Sequence, residues 1–398
     1  MPGERDAEGA RRAASTAQPQ QCRTGEIAIY LDGMLNFAPR TQGASYVVGK
    51  QAQLHAGLND FLSEAIPLDA EMLRTAASFE PPESSSIWRH VHMLGRYLQV
   101  CSADLTEDPM RTLFYAVMSR PRFWCGPWSV FSQEASVIGD IGRRRKQLFL
   151  DVVLELRRAA FSANIGRRMK NWNFPTTSNS LRVDNYDSYL FSRCQEVSAV
   201  EILMWHSQSA ISNAIDAAQR KAAVDHQQMI DLQSLLTGGG IQETAEEPSN
   251  AIPAVPRDAL TRDLHRIFDN LGNKISISRF KIGHASSIEW SRIIGHYARL
   301  MFFFDGSKVV DPAAHARLLC NYCAKITQGG ITFVNCNDLP DEYPEAGLIL
   351  ADDELRRSLL RRRLLLWGRK EQFLRINASR GFKAFRTGDI PATWRRAT

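Results

Sequence analysis

The stretch from His296 to Phe304 (HYARLMFFF) constrains the fold more than any other. All but His296 and Arg299 are apolar or aromatic, and Asp305 to Ser307 closes the run with turn residues. A run this short and this apolar predicts a strand buried inside a sheet. Its neighbours supply the rest of that sheet. Ser198 to Trp205 (SAVEILMW) and Lys274 to Ile282 (KISISRFKI) read as strands, as does ITFVNCN after the turn at Gly329 and Gly330. Helices are expected over Arg257 to Leu271, from Pro312 to Ile326 and from Leu355 to Phe373. The order strand, helix, strand, strand, helix, strand, helix is that of a split βαβ unit, an antiparallel sheet with helices packed on it.

At 398 residues the chain exceeds what one ordinary core accommodates, so two domains are expected. An apolar fraction of 44% is enough for globular folding, and 23% charged residues argue against wholesale disorder. The fold class is therefore α+β: a mainly helical N-terminal domain over 26–175, then the sheet domain over 180–390, a split βαβ, ferredoxin-like antiparallel sheet. Helices are read in EIAIYLDGMLNF, QLHAGLNDFLSEA, SIWRHVHMLGRYLQV, PMRTLFYAVMSR and RRKQLFLDVVLELRRAAF. The polar, proline-bearing NWNFPTTSNSLRVDN (Asn171 to Asn185) marks the domain boundary. Residues 1–25 read as a disordered tail, Ser207 to Leu236 as a helix, and 237–256 (TGGGIQETAEEPSNAIPAVP) as a flexible insertion.

The tail lacks the apolar segment of a secretory signal, and no run approaches the roughly 20 apolar residues of a membrane span. Seven scattered cysteines fit a reducing compartment, so a cytoplasmic location with no membrane partner is expected. The net charge of +6 is concentrated near the C-terminus. Beyond Leu355, thirteen basic residues, among them Arg361, Arg362, Arg363, Arg369, Lys370, Arg375, Lys383 and Arg386, face only Glu371 and Asp389. A polyanion would relieve such a surplus; a solvated basic tail is the alternative.

Four words occur in one order: FFFDGSKV (Phe302 to Val309), ITQGGITFVNCN (Ile326 to Asn337), DDELRRSLL (Asp352 to Leu360) and RKEQFLRI (Arg369 to Ile376). Together they resemble the C-terminal domain of the inovirus gene-two-type proteins, the YagK/YfjJ family of bacterial prophages. The resemblance runs from about Ser278 to Arg386, and reaches more weakly to YDSYLFSRCQEVSAVEILMW. It implies a replication-associated protein of a bacterial host, related to nucleases in which a His-hydrophobic-His pair holds a divalent ion and a tyrosine cuts one DNA strand. Side chains two apart on a strand share a face, so two imidazoles can grip one ion, which polarises the scissile phosphate for attack by the phenol.

This chain departs from that pattern at its chemical centre. The positions of the histidine pair hold Tyr297 and Arg299, and His296 is one residue out of register, which points it to the other face. Ala351 stands where the family places a histidine, and Leu366 where a tyrosine is expected. The resemblance thus implies a DNA-binding protein without nicking activity, on single-stranded DNA or a phage origin, needing no cofactor. Contacts are expected from Arg299, which can hold a phosphate bidentately or be an ordinary strand residue, and from the basic residues named above. Phe373 beside Arg369, Lys370 and Arg375 is either a stacking platform or core. An active nickase would need a displaced set, His296, His284 and Asp305 with Tyr297 or Tyr322, and Mg²⁺ or Mn²⁺. A third reading is a helical adaptor that binds a protein.

His315, Cys320, Cys323 and Cys336 offer four soft ligands, but their spacing fits no standard zinc finger. His90 and His92 lie on a helix-like stretch, where i and i+2 diverge by about 200°. Gly238 to Gly240 lacks the GK[ST] of a phosphate loop.

Overall fold

The computed structural model describes residues 23–40, 43–46, 51–76, 80–82, 84–100, 105–120, 123, 140–206, 257–291, 294–376 and 383–391. The expected tail, apart from its last residues, the helix at Ser207 to Leu236 and the insertion at 237–256 lie outside them. In chain order the first half holds α1 (Thr24–Leu35), β1 (Phe37–Arg40), β2 (Gly43–Tyr46), α2 (Ala52–Ala65), α3 (Ala70–Ala76) and α4 (Leu94–Tyr97). It continues with β3 (Leu105–Glu107), α5 (Pro109–Met118), α6 (Asp140–Ser162) and α7 (Ile165–Arg193). The second half holds β4 (Glu196–His206), α8 (Arg257–Asn273), α9 (Ile275–Ser278), β5 (Lys281–Ser291), β6 (Gly295–Asp305) and α10 (Pro312–Ile326). It ends with β7 (Ile331–Asn335), β8 (Gly347–Leu350), α11 (Glu354–Arg369), β9 (Leu374–Ile376) and β10 (Phe385–Thr387).

The protein is thus α+β, with an antiparallel sheet ordered β10, β5, β6, β4, β7, and β8 beside β7 along the same edge of β4. The apolar run His296 to Phe304 becomes β6, which pairs with β4 on one side and β5 on the other. Both its neighbours are strands and both its faces carry helices, so Tyr297 through Phe304 are buried throughout. Alternation sends Tyr297, Arg299, Met301 and Phe303 to one face, and His296, Ala298, Leu300 and Phe302 to the other. The first face meets α1, α7 and α11; Tyr186 of α7, for example, stands edge-on to Phe303 at 6.0 Å between ring centroids. The second meets α8 and α10, through Phe268 against Phe302 and His315 against Phe304.

Two buried clusters account for the core. One surrounds the sheet; the other joins Leu58, Phe61, Phe114, Phe149, Val153 and Leu156 of α2, α5 and α6 in a helical unit. The units meet where β3 pairs antiparallel with β9, and Asp108 N–H donates to the Phe373 carbonyl at 3.0 Å.

Several boundaries differ from the expectations. Helix α1 buries Ile27, Ala28, Leu31, Met34 and Leu35 against the sheet, so it belongs to the sheet's core rather than to the helical unit. Asn171 to Asn185 is no boundary but lies inside the 29-residue α7. Asn171, Thr177, Ser178, Arg182 and Asn185 face solvent while Thr176, Val183, Tyr186 and Leu190 are buried, and the helix continues through Pro175. SIWRHVHMLGRYLQV breaks into a 3-10 turn, the short α4 and another 3-10 turn. The stretch read as a strand from Lys274 begins as α9, and the strand starts only at Lys281. No helix among the described residues is long and apolar enough to cross a membrane.

Candidate functional site

The register of the central strands sets up the first candidate. Ser287 on β5 and Leu203 on β4 stand opposite Arg299, while Glu289 faces Tyr297 and Glu201 faces Met301. Both carboxylates therefore lie on the face of Arg299, one step diagonally on either side. The guanidinium takes both: Nη1 donates to Glu201 Oε1 at 3.0 Å and Nε to Glu289 Oε2 at 3.0 Å, with all three residues fully buried. Helix α1 adds the Tyr30 hydroxyl, which donates to Glu289. Helix α11 adds Arg363, paired with Glu345 and 3.7 Å from Glu201, and Lys370 follows it and donates to Ser287 Oγ.

Three carboxylates and three cations are thus closed inside one helix–sheet layer, and their formal charges cancel. Burial pushes the Glu201 carboxyl up from its ordinary value, with Arg363 pulling the other way. Burial, reinforced by Glu289, pushes the Tyr30 and Tyr297 phenols well above theirs. Burial also lowers Lys370, against the pull of Glu289, whereas at Arg363 burial is outweighed by Glu201 and Glu345. A group in this cluster has no path to a phosphate. The expectation of a phosphate contact at Arg299 is accordingly corrected: the side chain is fully buried, and its Nη1 and Nε are committed to the two carboxylates.

The displaced nickase set is not brought together either. Tyr297 lies with Arg299, but His296 and His284 are on the opposite face, and six residues of β6, about 20 Å, separate His296 from Phe302, the partner of His284. Burial takes both imidazoles down to about 4. Asp305 Oδ1 accepts from Ser307 N–H and hydroxyl and so caps the turn after β6. Tyr322 donates to the Asn270 carbonyl on the far side of the sheet. Among the described residues, no group of three or more His, Cys, Asp or Glu side chains could hold a metal ion. This covers the zinc set: His315 bonds the Ile277 carbonyl, and Cys323 and Cys336 are buried as small apolar groups.

The basic C-terminal segment is far better matched in space than in sequence. Arg357 pairs with Asp187, Arg361 with Asp184, and Arg362 with Glu26, while Arg369 donates to Gln372. Lys370 is interior, and the mostly covered Arg363 is held by Glu345 and lies 3.7 Å from Glu201. Lys383 and Arg386 remain exposed and make no ion pair among the described residues. Phe373 is buried, with the Arg111 guanidinium 5.3 Å from its ring centroid, so it is core rather than platform.

The second candidate is an open pocket of about 530 Å³ at the junction of the two units. Helix α7 supplies Trp172, Phe174, Asn179 and Arg182; the C-terminal segment supplies Arg375 and Lys383. The Arg375 guanidinium lies 3.8 Å from the centroid of the Trp172 ring and donates to its carbonyl. Trp172 Nε1–H donates to the Gln372 carbonyl at 2.7 Å, which fixes the indole. Asn179 Nδ2 donates to the Gly368 carbonyl at 3.1 Å, leaving its Oδ1 as an acceptor. Phe174 is 73% exposed, an unusual position for a phenylalanine beside a cavity. Sequence reasoning singled out Arg375 and Lys383 among the C-terminal cations but missed the helix side. Trp172, Pro175, Asn179 and Arg182 recur at i, i+3, i+7 and i+10, a helical stripe that Pro175 disguised as a loop.

Compared with protein-family models, with curated proteins and with solved structures, the chain finds no match in any of the three.

Proposed function

We propose that the protein is a phage- or prophage-type, replication-associated protein that binds DNA in the bacterial cytoplasm and does not nick it. The observation that carries the binding half is the pocket, where Arg182, Arg375 and Lys383 converge on Trp172 and an exposed Phe174. Cations beside aromatic faces are what a nucleic-acid strand meets on proteins that hold it by phosphate contact and stacking.

What supports the absence of nicking is the sheet. Element order β4, α8, β5, β6, α10, β7 with sheet order β7, β4, β6, β5 supports a split βαβ, ferredoxin-like reading, in which β6 is the strand that would present the metal ligands. There a guanidinium fills the space between two carboxylates, and a cation fixed in that way neither binds a divalent ion nor activates a phosphate.

The test is DNA affinity against salt, with nicking followed in parallel. The logarithm of the binding constant should fall linearly with the logarithm of salt concentration, by roughly 0.7 per phosphate contacted on single strands and 0.9 on duplex. A flat dependence removes the reading and favours a helical adaptor. Nicking of a single-stranded origin in Mg²⁺ or Mn²⁺ removes its second half.

A further inference from the structure

The pocket at the junction of the two units has a composition more specific than a general polyanion surface requires. A strip of phosphate contacts needs only exposed cations. Here the cations surround a concave space of about 530 Å³, inside the roughly 300–1,000 Å³ range of ligand sites, with fixed aromatic and amide groups in its wall. The indole of Trp172 is held by its own N–H bond and by the Arg375 guanidinium across its ring. Phe174 stands out from α7 into solvent beside the same space. Arg182 and Lys383 are exposed at the rim and make no ion pair among the described residues.

The wall also carries acceptors. Glu371 lines the pocket, and Asn179 keeps Oδ1 free to accept because its Nδ2 is spent on Gly368. A bare anion gains nothing from a carboxylate in the wall and is repelled by it. A ligand with a planar apolar ring, hydrogen-bond donors on its edge and a phosphate at some distance uses every group present.

We infer that this pocket is a seat for one nucleotide unit, its base against the aromatic side chains and its phosphate on Arg182 and Lys383. The unit is either a free nucleotide or one residue of a single strand, since both present the same base and phosphate. The strand source rests on the DNA-binding reading above; the free nucleotide does not. The seat spans both units, because Arg375 on β9 pairs with Thr106 on β3, and Thr106 also lines the pocket.

The experiment uses the full chain with three probes: dAMP and inorganic phosphate by titration calorimetry, and a labelled single-stranded oligonucleotide by fluorescence anisotropy. Phe174→Ala and Arg182→Glu are the variants, and both residues are exposed, so folding is retained. With a free nucleotide, dAMP binds while phosphate does not, and each variant weakens dAMP by about tenfold, the loss of one stacking or charge-assisted contact. With a strand unit, dAMP binds weakly or not at all while both variants weaken the oligonucleotide about tenfold. Phosphate binding as tightly as dAMP overturns the seat. So do two variants that leave both dAMP and oligonucleotide binding unchanged, or a chain that binds neither probe. If the oligonucleotide binds both variants as tightly as the parent and with a steep salt dependence, while dAMP binding is absent or unchanged by the variants, the seat has failed and the DNA-binding reading stands. If dAMP binds but no oligonucleotide does, the reverse holds.

Discussion

Replacing Arg299 with methionine tests whether the buried cluster is held by its guanidinium. The substitution keeps length and apolar bulk but removes two hydrogen-bonded ion pairs, each 3.0 Å long, between residues with no solvent exposure. Breaking a buried pair by deleting one partner costs about 3–5 kcal/mol, chiefly because the remaining charge stays in a dry site. Two carboxylates are stranded here, yet each keeps something. Glu289 retains the Tyr30 and Ser287 hydroxyls, and Glu201 retains Arg363 at 3.7 Å, so the loss should stay near about 3–5 kcal/mol rather than double. For a domain of roughly 150–250 residues, at about 2–4 °C per kcal/mol, this lowers the thermal midpoint by about 6–20 °C. Circular dichroism melts give the shift. The pH dependence adds a second check. A buried carboxyl raised above its ordinary 4.5 adds stability that is complete below that value and is lost as pH rises through its folded-state value. Losing Arg299 removes a cation from beside Glu201 and raises its carboxyl further, so the gap between variant and parent should be wider at pH 8 than at pH 5. Substituting Glu201→Gln and Glu289→Gln alongside Arg299→Met removes the stranded charges and should recover part of the loss. A midpoint lowered by less than about 2 °C, or a gap that narrows as pH rises, would refute the account.

Gly283→Ala should destabilise the sheet unit by about 1–3 kcal/mol in denaturant titrations, because a Cβ there would lie 2.2 Å from the Tyr186 hydroxyl, which holds the His284 amide. An unchanged midpoint would show that Tyr186 has room to move. Burial pushes the Cys320 and Cys323 thiols up to about 12, so iodoacetamide at pH 8 should label them only after unfolding, as read by peptide mass spectrometry. Rapid labelling of the native chain would contradict the packing of α10. Arg111 donates to Asn59 Oδ1 and the His55 carbonyl, and lies over Phe373. Arg111→Ala should therefore speed hydrogen exchange at Leu105 to Glu107 and Leu374 to Ile376, where the two units join; protection equal to that of the parent would sink this view of the junction.

What was legible in the sequence follows from how local each signal is. The run at His296 to Phe304 is a strand in any context, and Asp311 with Pro312 starts α10 with its own cap and first-turn proline, so both are readable. Helix α7 was not, because Pro175 and its polar neighbours look like a loop until Trp172, Asn179 and Tyr186 find partners nearly two hundred residues on or in a distant strand. The charge pattern misled for the same reason. Along the chain, the arginines after Leu355 meet only Glu371 and Asp389; in space, Asp184 and Asp187 of α7, Glu26 of α1 and Glu201 of β4 reach them. A charge count along a sequence measures the surplus but not its address. The arginines that look most like a polyanion site, Arg361 to Arg363, tie α11 to α7, α1 and the sheet. The two exposed cations at the pocket, Arg182 and Lys383, come from segments some two hundred residues apart, and the folding of α7 against the C-terminal segment sets them beside one another. Anion binding at the pocket is therefore a property of that junction, and a variant that loosens the junction should lose it without touching a single exposed arginine.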